Sequence, residues 1–258
     1  MITAGRIRHV PAIVGLLIVT AACIWILDDL RRGAVILSLA GLACGVALFL
    51  IGKTRRPMAL LLTSALAAAL LVAAVPWLQQ RVLDAVTTAA KQHSGHVFTV
   101  GHAYKLMDEG FYMNPATPAA STIKLTPAQA TRFIVRAVTA FLLTPLPWET
   151  RSTSERAYLP EHLLWYGLLL MLPFGIIEGW RRDAWATAMV LGFILPTAAA
   201  LATTNGNVGT LLRLRGLVTP YMAWISALGV CVAADWCCAW WRHRGVADNG
   251  PVPLGTRA

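Results

Sequence analysis

Residues 33–52 read GAVILSLAGLACGVALFLIG, twenty residues without a charged side chain. A helix rises about 1.5 Å per residue, so a run of this length crosses a hydrocarbon core about 30 Å thick. Basic residues flank the run, with Arg31 and Arg32 before it and Lys53 after it. The stretch therefore predicts a helix that spans a membrane.

Similar apolar runs lie on both sides of this stretch, at residues 10–27, 57–78, 162–177, 184–203 and 217–234. Hydrophobic residues make up 57% of the chain and charged residues 13%, against about 45–50% and about 25% in an average soluble domain. We expect an all-α, polytopic transmembrane bundle of about six helices. The predicted divisions are three transmembrane helices in 1–78, an external loop in 79–160, three more transmembrane helices in 161–241, and a disordered cytoplasmic tail in 242–258.

The distribution of Lys and Arg orients the predicted helices. Short loops on the cytoplasmic side of a membrane carry an excess of these residues. If the N-terminus is cytoplasmic, ten basic residues lie inside and four in short outer loops. The count predicts a bacterial inner-membrane protein with both termini in the cytoplasm. The inner set is Arg6, Arg8, Lys53, Arg55, Arg56, Arg181, Arg182, Arg242, Arg244 and Arg257, and the outer set is Arg31, Arg32, Arg213 and Arg215.

The long external loop contains patterns of amphipathic helices. Thr126 followed by Pro127 is typical of a helix start, with the threonine as N-cap and the proline at the first helical position. Arg132 and Arg136 lie four residues apart on one side of this helix and are candidates for binding a lipid phosphate or glycan. The opposite side is apolar, which indicates an interfacial helix; it carries Phe133, Ile134, Ala137 and Phe141.

The turn between the fifth and sixth predicted helices reads NGNVGTLLRLR over residues 205–215. Asn205, Asn207 and the adjacent glycines permit positive φ and expose backbone N–H groups, and Arg213 and Arg215 could hold a phosphate. We expect an anionic lipid-linked sugar as the ligand. The alternative is a helix-hairpin turn whose arginines reach toward lipid headgroups.

A PLPW element at residues 145–148 follows the amphipathic helix and ends with Trp148 at the expected depth of the headgroups. Together with GNVGTLLRLRGLVTP at residues 206–220, it resembles the C-terminal part of bacterial multi-spanning proteins associated with cell-surface polysaccharide synthesis, some of them glycosyltransferase-like. The resemblance covers about residues 130–230. The resemblance implies a polyprenyl-phosphate-linked glycan as partner. It also implies that Trp148, Arg213 and Arg215 take part in binding that glycan.

Two acidic pairs are weak catalytic candidates. Asp28 and Asp29 follow the first predicted helix, where a solvated turn is the simpler interpretation. Asp108 and Glu109 lie among aromatic residues in the loop, where carboxylates can act as acid or base, although neighbours in a helix point in different directions.

The sequence predicts neither a metal site nor a cofactor. His93, His96 and His102 match no closed-site spacing. The net charge of +10 does not indicate nucleic-acid binding. The basic residues do not form one stripe but lie at the ends of apolar runs.

These observations lead to three functional hypotheses. The first is an inner-membrane protein of envelope polysaccharide or lipid-linked glycan assembly, with catalysis left open. The second is a non-enzymatic scaffold whose external loop binds other proteins of an envelope complex. The third is a small-molecule transporter, which the lack of internal repeats and of central ionisable residues disfavours. Membrane lipid is the expected partner in each case.

Overall fold

A computed structural model describes residues 18, 19, 22, 34–97, 103–107, 111, 124–149 and 156–248. Within these ranges the chain is helical throughout and has no named strand; one isolated antiparallel bridge joins Ala103 and Asn207. A short 3-10 helix covers Pro147–Glu149. The α-helices are α1 (Ala34–Gly52), α2 (Pro57–Ala74), α3 (Pro76–Val97), α4 (Pro127–Leu143), α5 (Leu159–Arg182), α6 (Ala184–Thr204), α7 (Val208–Arg215) and α8 (Thr219–Asp248).

Five of the described helices, α1, α2, α5, α6 and α8, are long and apolar enough to cross a membrane. The predicted helical, membrane-spanning class is therefore confirmed, and the chain is a multi-pass membrane protein whose exposed apolar side chains contact lipid. The first predicted span, residues 10–27, lies almost wholly outside the described residues.

Two predicted boundaries differ from the structure. The span predicted at 57–78 ends at Ala74, because Pro76 starts a separate helix there. The last span does not stop near residue 241 but continues as one helix to Asp248, since extending a formed helix adds one hydrogen bond per residue. The prediction of a disordered tail over 242–258 is therefore wrong for 242–248, and its remainder lies outside the described residues.

Glycines set the two closest helix crossings. A methyl group on Gly192 of α6 would lie 2.4 Å from the backbone nitrogen of Gly45 and 2.5 Å from the carbonyl oxygen of Gly41 in α1. A methyl group on Gly175 of α5 would lie 2.0 Å from the carbonyl oxygen of Ile225 in α8. Helices in membranes associate through such small residues, because close backbone approach maximises van der Waals contact. The pairs α1–α6 and α5–α8 therefore form the centre of the bundle.

The two ends of the bundle differ. At one end, here called the turn end, α1 finishes beside the connection from α5 to α6: the Gly52 backbone contacts the Trp180 ring, and the Phe49 and Trp185 rings stack edge to face at 4.9 Å. This places Lys53 near the start of α6. The opposite end, the cap end, is covered by helices α3, α4 and α7, which pack on α6. These three helices are called the cap layer below.

Helix α4 begins as the sequence predicted. The Thr126 side chain accepts a hydrogen bond from the Gln129 backbone and the Gln129 side chain accepts one from the Thr126 backbone, which forms a capping box, and Pro127 is the first helical residue. Phe133, Ala137 and Phe141 are buried on one side as expected, whereas Ile134 is 39% exposed, because it lies at the margin of the apolar stripe. Helix α4 is therefore an amphipathic helix seated on protein.

We predict that Gly192→Ala lowers the stability of the protein by about 1–3 kcal/mol, because the added methyl group forces α1 and α6 apart. The measurement is thermal unfolding of the purified protein in detergent. Gly167→Ala in α5 is the matched control, since no atom lies within 4 Å of the added methyl group and alanine favours a helix over glycine. Equal unfolding midpoints for the two variants would contradict the role given to the crossing.

Candidate functional site

The carbonyl groups at the C-terminal end of α4 accept hydrogen bonds from side chains of two other helices. The last four carbonyl groups of a helix have no partner within it. Here Arg215, at the end of α7, donates from Nη2 to the carbonyl oxygens of Ala140 at 3.3 Å, Phe141, and Thr144 at 2.6 Å. One guanidinium therefore closes the end of a helix more than 70 residues earlier in the chain.

Two aromatic side chains of α5 complete this arrangement. Trp165 donates from Nε1 to the Leu142 carbonyl oxygen at 3.0 Å, and the Tyr166 hydroxyl donates to that of Leu143 at 2.8 Å. The Arg215 guanidinium also lies 5.0 Å from the centre of the Trp165 ring, where a cation is attracted to the π face. Helices α4, α5 and α7 are thereby joined at one point.

Arg215 is a buried cation without an acidic partner among the described residues. Only 3% of its surface is exposed, and the two ion pairs recorded in the described ranges involve Glu178 instead. Burial lowers the pKa of Arg215 to about 10, so the side chain stays charged at neutral pH. The carbonyl dipoles at the α4 C-terminus stabilise the charge, and the Glu161 carboxylate also favours it through space.

A second group of hydrogen bonds closes the end of α6. The carbonyl oxygen of Asn205 accepts from His93 Nδ1 at 2.7 Å and from the Tyr104 hydroxyl at 2.5 Å. The Tyr104 backbone N–H donates to the Gly206 carbonyl oxygen at 3.0 Å. His93 is fully buried, and burial lowers its pKa to about 4. The imidazole is therefore neutral at pH 7, with its proton on Nδ1.

The asparagines of the turn have different roles from those expected. Their backbones are extended, with φ of −102° at Asn205 and −112° at Asn207, and no non-glycine residue in the described ranges has positive φ. Asn207 instead caps α7 by accepting from the Thr210 backbone N–H at 3.2 Å. The two asparagines therefore do not adopt the positive φ that was expected to expose the backbone N–H groups of this turn, because Asn205 ends one helix and Asn207 begins the next.

The remaining candidate side chains are not gathered in one place. Arg213 and Arg132 are exposed, Arg136 donates to the Leu106 carbonyl oxygen at 2.9 Å, and Trp148 is 78% exposed. The acidic candidates Asp28, Asp29, Asp108 and Glu109 lie outside the described residues, as does His102. Within the described part, no three His, Cys, Asp or Glu side chains are grouped as metal ligands.

A small cavity opens beside Arg215, between the first turns of α5 and α8 and the end of α7. It has about 20 Å³ of room for the centres of water-sized molecules and is lined by Glu161, His162, Leu164, Trp165, Leu212, Arg215 and Thr219. Sequence reasoning missed His162, Trp165 and Tyr166. The available signal was three polar or aromatic residues within one helical turn at the start of an apolar span.

We predict that Arg215→Gln destabilises the protein by about 2–5 kcal/mol, because it removes a buried charge and leaves α4 carbonyl groups without donors. Arg213→Gln should stay within about 0.5 kcal/mol, as is usual for exposed positions. Thermal unfolding in detergent compares the two. Equal effects would show that Arg215 does not hold the end of α4.

We predict a specific loss of stability on acidification. The pKa of His93 is about 4 in the folded protein and about 6.5 in the unfolded chain, so the unfolded state takes up the proton first as the pH falls. This contribution to stability is complete above pH 6.5 and falls by roughly 3 kcal/mol by pH 4. His93→Asn keeps an amide that can donate to Asn205 in place of Nδ1 and cannot titrate. Its unfolding midpoint should therefore fall less than that of the wild type between pH 6.5 and pH 4; parallel curves would contradict the prediction.

Comparison with protein-family models finds no match for this chain. No curated protein and no solved structure matches it significantly either. Its function is therefore inferred from its own residues.

Proposed function

We propose that this chain is an inner-membrane protein of envelope polysaccharide or lipid-linked glycan assembly, which binds an anionic lipid-linked sugar at the outer membrane face. The observation that carries the proposal is the charge of the cap end. The two segments of sequence that contain the cap-layer helices, 76–166 and 205–219, hold ten Lys and Arg and six Asp and Glu, a net charge of +4.

Most of these basic residues lie in the segment from about 79 to 160, which is long enough to be translocated regardless of its charge. A positive surface at headgroup depth attracts anionic lipids by about 1 kcal/mol for each basic side chain. Arg132 and Arg213 are exposed and are the side chains to which we assign this attraction. Trp148 supplies an exposed indole suited to the same depth.

The orientation in the proposal follows from the turn end. Lys53, Arg55 and Arg56 lie on the short connection after α1, and Arg181 and Arg182 are the last two residues of α5, directly before the turn to α6. The contacts of Gly52 with Trp180 bring these two basic connections to the same end. Two short basic loops at one end favour a cytoplasmic position for it, which leaves the cap layer outside. Both termini are then cytoplasmic, provided that residues 10–27 also cross.

In this proposal the arginines of the turn have separate tasks. Arg215 holds the α4 carbonyl groups through Nη2 and maintains the shape of the cap end, which leaves its Nε without a hydrogen-bond partner. Arg213, two residues earlier, faces solvent and is available to a headgroup. A binding function needs this division, because a surface that recognises a charged ligand has to be held rigidly by groups that do not themselves move.

The test is the double variant Arg132→Ala/Arg213→Ala in the full-length protein, reconstituted in lipid nanodiscs. Undecaprenyl phosphate is the probe, and native mass spectrometry measures its binding. Losing two surface charges costs on the order of 2 kcal/mol, so binding should weaken at least tenfold, and added salt should reduce the difference. Glycan output of the host should fall in parallel, while membrane insertion is unchanged.

The matched control is Arg55→Ala/Arg181→Ala, which removes two exposed arginines from the turn end. It should leave undecaprenyl phosphate binding unchanged. An equal loss of undecaprenyl phosphate binding in the two double variants, or no loss in either, would contradict the proposal. Unchanged glycan output together with a stable protein partner crosslinked to the cap end would favour the scaffold hypothesis instead.

A further inference from the structure

We propose that the cavity beside Arg215 binds the protonated oxygen of a phosphate monoester. This inference rests on the proposed function and specifies the headgroup that the cap end recognises. The ligand chemistry is a phosphate monoester, whose source is either a lipid phosphate or a free phosphate.

His162 and Arg215 each have one buried side-chain nitrogen without a hydrogen-bond partner, Nε2 and Nε respectively. Both side chains line the cavity, and they are 2% and 3% exposed. A buried polar atom without a partner is costly, so such atoms mark places where a ligand or water completes the structure. Two of them in the lining of one cavity form a built site.

Their chemistry is complementary. His162 Nδ1 lies 3.1 Å from the carbonyl oxygen of Tyr158, and a carbonyl oxygen can only accept, so Nδ1 carries the proton and Nε2 is an acceptor. Arg215 Nε is always a donor. With a neutral imidazole, the missing group would donate to His162 Nε2 and accept from Arg215 Nε, and a hydroxyl has both capacities.

The volume of the cavity and the charge of Arg215 limit which ligands can bind. About 20 Å³ of room for water-sized molecules admits one oxygen atom but not a whole phosphate group. Arg215 forms no ion pair within the described residues, so its charge would favour an anion at the mouth, against the opposing charge of Glu161 in the same lining. The monoanion of a phosphate monoester provides a P–OH oxygen for the cavity and charged oxygens that remain at its mouth.

The position of the cavity suits a membrane phosphate. It lies at Glu161 and His162, in the first turn of the spanning helix α5, and at Thr219, the first residue of α8. The start of a spanning helix lies at headgroup depth. Glu161 lines the cavity and is exposed, so its charge opposes an anion, weakened by the surrounding water.

The test measures binding of octyl phosphate, octanol and inorganic phosphate to the full-length protein in nanodiscs by calorimetry. Octyl phosphate should bind at least tenfold more tightly than octanol, because only the phosphate pairs with the arginine. Binding of inorganic phosphate as tight as that of octyl phosphate would overturn the lipid as the source. Equal binding of octanol and octyl phosphate would overturn the phosphate itself, since any hydroxyl would then suffice.

Three variants locate the binding. His162→Asn keeps an amide that can donate to Tyr158 but removes the acceptor at Nε2, so octyl phosphate should bind about tenfold more weakly. His162→Gln restores an amide oxygen near Nε2 and should bind within about threefold of the wild type. Glu161→Gln removes the opposing charge and should strengthen binding severalfold.

Equal binding by the two His162 variants, or weaker binding by Glu161→Gln, would overturn the site. The proposed function is tested separately, with Arg132 and Arg213. If those arginines prove necessary but the His162 and Glu161 variants bind as the wild type does, the headgroup lies on the outer surface of the cap layer. If only the Arg132→Ala/Arg213→Ala experiment gives a negative result, the cavity is a phosphate site without a role in glycan assembly.

Discussion

The architecture of the cap end depends on satisfying the carbonyl groups at the end of α4. A helix that ends against other helices cannot leave these groups to water, and each one left without a donor costs free energy. Arg215, Trp165 and Tyr166 supply the donors from α7 and α5. The same bonds fix α4 across the ends of the spans and bring His162 next to Arg215, so a structural requirement also creates the cavity.

Much of the fold could be predicted because its signals are local. The apolar run of α1, and the Thr126-Pro127 start of α4, depend on residues adjacent in sequence. The role of Arg215 could not be predicted, because its partners lie about 70 residues upstream. The turn was interpreted as a loop in which Arg213 and Arg215 converge on one phosphate, but residues two apart in a helix point in nearly opposite directions. Helix α7 therefore buries one arginine and exposes the other.

The cap end combines a rigid frame with a charged surface. Its frame consists of side chains that bond backbone carbonyl groups, with Arg215 closing α4 and His93 closing α6. Arg132 and Arg213 are exposed on two helices of the cap layer, and the cavity lies where α7 meets the first turns of α5 and α8. The arrangement suits recognition of an anionic headgroup at the membrane surface, because long-range attraction and short-range hydrogen bonding come from different residues.

The contact between Gly45 and Gly192 joins helices separated by almost 150 residues of sequence. At a synthesis rate of 5–20 residues/s, α1 leaves the ribosome roughly 7–30 s before its closest partner. During that interval the backbone surface around Gly41 and Gly45 faces lipid or a chaperone. A chain with this architecture therefore has to tolerate an incomplete bundle in the membrane, and its biogenesis depends on keeping that glycine surface unoccupied until α6 arrives.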